Sequence, residues 1–239
     1  MNWRDDKLKL VDTKLWRRFQ DSGLLYTLYR KTIGSLIRKG RMAGRKDAVK
    51  TQGTDCIREI HSVLDGSGVL FFVDAGTLLG FIREGRLLKW DFDVDFGVVV
   101  EGPETWTRLG RCLTSSGYKL IKQFRVDGSV MEQTYGKNGL SIDFFGHFNV
   151  AETSVQYSFY NPTNHPTNEM AVMEFSSTRI SGISKLPLDE ITVNIPDNTE
   201  RYLADSYGEN WRIPDPSWDY RNSPGYRLRP DKHGIREDF

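Results

Sequence analysis

Cysteine is scarce, with only Cys56 and Cys112 among 239 residues. That excludes a disulfide scaffold and a zinc site of closely paired thiolates, and it favours a reducing cytoplasm. Long apolar runs are missing as well. Nothing approaches the roughly 20 residues of a transmembrane helix. The charged opening Met1-Asn2-Trp3-Arg4-Asp5-Asp6-Lys7 lacks the apolar centre of a signal peptide. The expectation is a chain that neither spans a membrane nor is secreted. Charge of one sign is also lacking overall, the formal net charge being +1. The balance is uneven along the chain, however. Residues 1–50 hold 14 Lys/Arg against 5 Asp/Glu, and the remainder 19 against 27, so a +9 segment precedes a −8 body. Such a body repels nucleic-acid phosphates, whereas the basic segment suits an anionic surface such as a membrane.

The chain reads as a basic helical arm (1–50), a folded body (51–215) and an irregular tail (216–239). Leu25, Leu28, Tyr29, Ile33 and Leu36 recur at helical spacing, with Arg30, Lys31 and Arg38 opposite them. The glycines and basic residues of 40–46 read as a flexible joint, followed by a helix over 54–64. Short apolar or alternating runs predict strands at 69–73, 92–100, 118–124, 130–135, 140–148, 154–160, 171–175 and 191–195. Helices are expected over 78–83, 103–116 and 200–207, the last closed by Gly208. The alternation describes a mixed β-sheet flanked by helices, an α/β (α+β) body.

One segment stands out chemically. Trp90-Asp91-Phe92-Asp93-Val94-Asp95-Phe96-Gly97 carries three acids at alternate positions, which a regular strand would point to one face. Like charges crowded together repel, and a hard divalent cation such as Mg2+ or Mn2+ relieves them. Further on, Ser141-Ile142-Asp143-Phe144-Phe145 places a lone acid in an apolar strand. Burial there is costly unless the acid is paired or metal-bound. Asp143 is therefore a candidate third ligand, or a base for an attacking hydroxyl. Gly76 and Thr77, between a strand and a helix, can cradle a phosphate on free backbone N–H groups. Asp91 is a further ligand or a turn-stabilising acid. His147, four residues after Asp143, shares its strand face and is a candidate substrate contact.

The run Phe72-Val73-Asp74-Ala75-Gly76-Thr77-Leu78-Leu79-Gly80-Phe81-Ile82-Arg83, with the acidic segment after it, resembles the signature of the LicD and fukutin-related family. Departures are Lys89, where proline is usual, and Phe92, where another acid or histidine is common. The resemblance implies a nucleotidyltransferase fold like that of the DNA polymerase beta superfamily. It also implies transfer of phosphocholine, ribitol phosphate or glycerol phosphate from a CDP-linked donor to a hydroxyl of a surface glycan. In that scheme Asp93 and Asp95 bind metal, Asp143 is a third ligand or base, and Gly76 and Thr77 hold donor phosphate. Arg83 neutralises phosphate or braces the acidic loop. The expected location is cytoplasmic, with the basic arm as a candidate contact to the inner membrane face. Transfer of the nucleotide itself, and a catalytically silent membrane- or glycan-binding module, are the alternatives.

Overall fold

The computed structural model describes residues 33–161 and 167–239. A long first helix, α1 (Ile33–Leu64), precedes β1 (Phe71–Val73), α2 (Ala75–Glu84), β2 (Val94–Val99) and α3 (Glu104–Ser115). A run of strands follows: β3 (Lys119–Val126), β4 (Ser129–Lys137), β5 (Leu140–Val150), β6 (Thr153–Tyr160), β7 (Glu169–Thr178), β8 (Ile183–Pro187) and β9 (Thr192–Pro196). Helix α4 (Thr199–Tyr207), a 3-10 turn (Tyr220–Asn222), β10 (Tyr226–Leu228) and β11 (Gly234–Asp238) complete the chain. Among the described residues no helix is long and apolar enough to cross a membrane. Most of the amphipathic helix expected over 22–39 lies outside them.

Helix α1 runs unbroken through the expected joint at 40–46 and through the expected boundary at residue 50. Packing overrides the glycines. Val49, Cys56, Ile57, Ile60 and Leu64 form a buried stripe at helical spacing. Each such aliphatic side chain contributes roughly 1.5–3 kcal/mol on burial, more than the roughly 1 kcal/mol a helical glycine costs. Against this stripe β2 and β5 run parallel, with β1 antiparallel on the outer side of β2. Parallel neighbours need a long crossover, supplied here by α3, β3 and β4. Trp106, Leu109 and Leu113 bury one side of α3 on the sheet.

Tight hairpins set the later registers. Asp127-Gly128 and Asn138-Gly139 all take positive φ, as two-residue turns between twisted strands require. The second of these joins β4 to β5, between the strands expected at 130–135 and 140–148. The sheet then closes. Strand β5 pairs with β4, β4 with β3, β3 with β11, β11 with β7, β7 with β6, and β6 again with β5. Phe124 of β3 and Phe159 of β6, from unpaired strands, stack across this ring with centroids 4.7 Å apart. The mixed sheet with helices was expected, but the closed six-stranded ring was not. The tail read as irregular supplies both β10, which pairs with β7, and the closing strand β11.

Candidate active site

Parallel pairing of β2 with β5 places Asp95 directly opposite Asp143, so both carboxylates leave the same face of the sheet. Asp93 precedes β2 by one residue. Oxygen atoms of Asp93, Asp95 and Asp143 all lie within 4.8 Å of one another. The backbone of Asp95 is held at both polar groups. Its N–H donates to Thr77 Oγ1 at 3.0 Å, and its carbonyl accepts the Asp74 N–H at 3.0 Å. Asp143 is 9% exposed and accepts a hydrogen bond from the hydroxyl of Thr134, its register partner on β4.

The electrostatics are those of crowded, buried acids. Burial, followed by the neighbouring Asp143, pushes Asp93 up to about 7. Burial and then Asp93 and Asp143 push Asp95 well above the usual carboxylate range. Glu132, facing the same side from β4, is raised to about 8 by burial and by Asp143, although Lys122 lies 3.9 Å away. Three carboxylate oxygens converging in a poorly solvated place suit Mg2+ or Mn2+, which take hard oxygen ligands.

Beside this cluster lies a second acid of opposite character. Asp74 caps α2, its Oδ1 accepting the Ala75 N–H at 2.7 Å and the Tyr202 hydroxyl at 2.5 Å. Its Oδ2 meets His147 Nε2 at 2.8 Å. Burial works to raise this carboxyl, but the imidazole and the hydrogen bonds together hold it below its ordinary value.

The remaining expected site residues fall into place around these two groups. Asp91 does not continue the strand, because β2 begins only at Val94. It sits in the preceding loop, with its carboxylate over Gly76, where a Cβ would lie 3.1 Å from Oδ2. Gly76 therefore admits an acid to the N-terminal turn of α2, where the helix dipole favours negative charge. Thr77 is fully buried and serves Asp95. Arg83 donates to Glu84 at 3.4 Å, and its charge draws Asp91 down against burial and Glu84, which nevertheless raise that carboxyl to about 6. His147 does share the Asp143 face, but it is 1% exposed and its Nε2 meets Asp74.

Several contributors escaped the sequence reading. Asp74 and Tyr202 are 128 residues apart and meet only through the fold. Glu132 and Thr134 lie in a polar run, Glu132-Gln133-Thr134, of the strand that pairs with the Asp143 strand. From α1, Arg45 lies 5.8 Å from the Phe92 ring centroid and lowers Asp93, while Lys46 lowers Asp91. Two basic residues of α1 thus act electrostatically on the acidic loop. Tyr207, at the end of α4, feels Asp74, Asp95 and Asp91 after burial, all of which raise its hydroxyl, and it packs against Trp218 at 4.8 Å.

A carboxylate trio on neighbouring parallel strands, preceded by a strand–Asp-Ala-Gly-Thr–helix unit, defines a class. The chain belongs to the LicD/FKTN/FKRP nucleotidyltransferase-domain family, which it matches over residues 68–198. It is 25% identical over 189 residues to the ribitol-5-phosphate transferase FKTN of Macaca fascicularis, covering 77% of this chain and 37% of that protein. FKTN of Homo sapiens is 24% identical over 183 residues, covering 74% of this chain and 37% of its own. The ribitol 5-phosphate transferase FKRP of Mus musculus is 25% identical over 175 residues, covering 67% and 33%. The chain spans only about a third of the length of these relatives. Among solved structures, ANT(2")-Ia in complex with adenylyl-2"-tobramycin shares 12% identity at a TM-score of 0.38. It covers 72% of this chain and 83% of that one, a likeness too loose to assign fold or activity.

Proposed function

We propose that this protein is a metal-dependent phosphotransferase of nucleotidyltransferase fold. It moves a phospho-alcohol (ribitol phosphate, glycerol phosphate or phosphocholine) from a CDP-linked donor to a hydroxyl of a surface glycan. The observation that carries this reading is the convergence of Asp93, Asp95 and Asp143 in a chain whose relatives are named as ribitol-phosphate transferases. Asp93 and Asp95 would hold Mg2+ or Mn2+, with Asp143 either completing the set or accepting the proton of the attacking hydroxyl. A metal held there would supply charge neutralisation for the donor diphosphate and the phosphoryl group in transfer.

The chain's own groups do the remaining work. Thr134 orients Asp143, and Thr77 fixes the Asp95 backbone. Arg45 and Lys46 bring positive charge to the rim, where an anionic donor arrives. Tyr207 and Trp218 supply an aromatic wall on the α4 side. The basic arm, residues 1–50, carries the further proposal of contact with an anionic membrane surface, which sedimentation with anionic liposomes at low salt tests.

The decisive assay supplies Mg2+ or Mn2+ with CDP-ribitol, CDP-glycerol or CDP-choline and follows CMP, beside the double variant Asp93→Ala/Asp95→Ala. Metal-dependent CMP release from one donor, lost in the variant, supports the reading and names the alcohol. A product that retains the nucleotide, or silence with every donor and a panel of glycan acceptors, overturns it.

A further inference from the structure

Beyond the carboxylate trio, one further buried acid faces the same side of the sheet. Glu132 of β4 lies two residues before Thr134, whose hydroxyl bonds Asp143, so both side chains leave the sheet in the same direction. We propose that Glu132 is a further catalytic residue, the group that receives the attacking hydroxyl of the acceptor and takes its proton; this role rests on the transferase reading.

Packing alone does not account for an acid in this place. Glu132 is 6% exposed, yet its carboxylate has no hydrogen bond from any described residue. The Lys122 Nζ stands 3.9 Å from its Oε1, too far for one. A buried charge so poorly partnered is costly to keep. It is not sealed in, because neither oxygen is fully shielded from solvent. As the diagonal neighbour of Asp143 across β4 and β5, Glu132 lies roughly 7–8 Å from it, backbone to backbone. That spacing leaves room for one hydroxyl oxygen between the two carboxylates. Burial and Asp143 raise the Glu132 carboxyl to about 8, and Lys122 draws it down, toward the range in which a general base works near neutral pH.

Asp143 is less free for this part. It accepts the Thr134 hydroxyl, and its carboxylate converges with those of Asp93 and Asp95. In this arrangement Asp143 completes the metal set and the proton falls to Glu132. The acceptor oxygen bonds to the donor phosphorus, the bond from that phosphorus to the CMP oxygen breaks and CMP leaves with the electron pair. The hydroxyl proton moves to the Glu132 carboxylate.

Two variants of the full chain test this with a donor that wild type uses. Glu132→Gln keeps the shape and cannot take the proton, whereas Glu132→Ala opens a space for added formate. Glu132→Gln is expected to lower kcat about a hundredfold to ten-thousandfold with donor KM nearly unchanged. It should melt no lower than wild type and show the same rise in melting temperature with Mg2+ or Mn2+. Formate should restore part of the transfer lost in Glu132→Ala and none of that lost in Glu132→Gln. Wild-type transfer that Glu132→Gln leaves intact overturns this role alone. Loss of the metal-induced rise in Glu132→Gln also overturns it, by making Glu132 a metal ligand. A lowered melting temperature in Glu132→Gln without formate rescue of Glu132→Ala overturns it too, by making the residue structural. Silence of wild type with every donor and acceptor overturns the transferase reading, and this role with it.

Discussion

Two acidic groups share one face of this sheet and are built on opposite principles. Asp74 is buried, but every oxygen has a partner: a helix N–H, a tyrosine hydroxyl and an imidazole. Its carboxyl is held low. Asp93, Asp95 and Asp143 have mainly one another, and burial with mutual repulsion drives Asp93 and Asp95 upward. A satisfied buried charge shapes a scaffold, whereas an unsatisfied cluster is shaped for a cation that arrives from outside.

That contrast can be broken experimentally. Replacing Asp93 and Asp95 with Asn should cut transfer about a thousandfold or more, as expected on losing a metal's charge stabilisation. The metal-free protein should at the same time melt no lower than wild type, since like charges have been removed. Asp74→Asn or His147→Ala should do the reverse. His147→Ala leaves the buried Asp74 carboxylate without its imidazole, and Asp74→Asn disturbs the bonds to Ala75, Tyr202 and His147, so each should lower unfolding free energy in urea by about 3 kcal/mol. The folded fraction should keep activity within about tenfold to a hundredfold. If His147→Ala silences transfer in a protein as stable as wild type, the division between scaffold and cation site fails.

Smaller effects sharpen the same point. Mg2+ or Mn2+ at a hundred times its dissociation constant should stabilise the wild type by about 2.7 kcal/mol, read as a rise in melting temperature that Asp93→Asn/Asp95→Asn lacks. Arg45→Ala should raise KM for donor severalfold and leave kcat nearly unchanged, because its charge meets the anion at the rim. The smallest effect is pH-dependent. Asp91 and Asp93 have raised carboxyls in the folded state, about 6 and about 7 against 3.8. The folded state therefore binds protons more tightly than the unfolded one. The contribution is complete below pH 3.8 and is lost as pH rises through 6 and 7. Metal-free melts between pH 5 and pH 8 should show this stability falling with pH, and added metal should flatten the slope.

Much of the carboxylate site was legible because its signal is local. A lone acid among Ile142, Phe144 and Phe145 is costly wherever it folds, and alternating acids before an apolar run announce a strand end that faces a cleft. Period-two spacing also put His147 on the Asp143 face. Spacing carries no depth, however, and only the arrival of Tyr202 and Asp74 buries the imidazole. The same rule overextended at Asp91, since nothing in Asp-Phe-Asp reveals that pairing with β5 starts at Val94. Helix α1 was misread where Gly40 and Gly44 argued for a joint, because the buried stripe that keeps the helix whole lies mostly after them. Arg45 reached the site for the same reason. The strands β10 and β11, three and five residues long among prolines and charges, have almost no periodicity to read; their partners define them.

Ring closure has a kinetic consequence. Strand β11 inserts between β3 and β7, and its Glu237 bonds Gln123 across 114 positions of sequence. The entropy of drawing such distant segments together is charged before their contacts repay it. Until residues 234–238 dock, β3 and β7 present bare strand edges, the natural templates for pairing with another chain. The hairpins β3–β4, β4–β5 and β6–β7 are local and can form early, so this last short strand sets how long the nascent sheet stays exposed to aggregation.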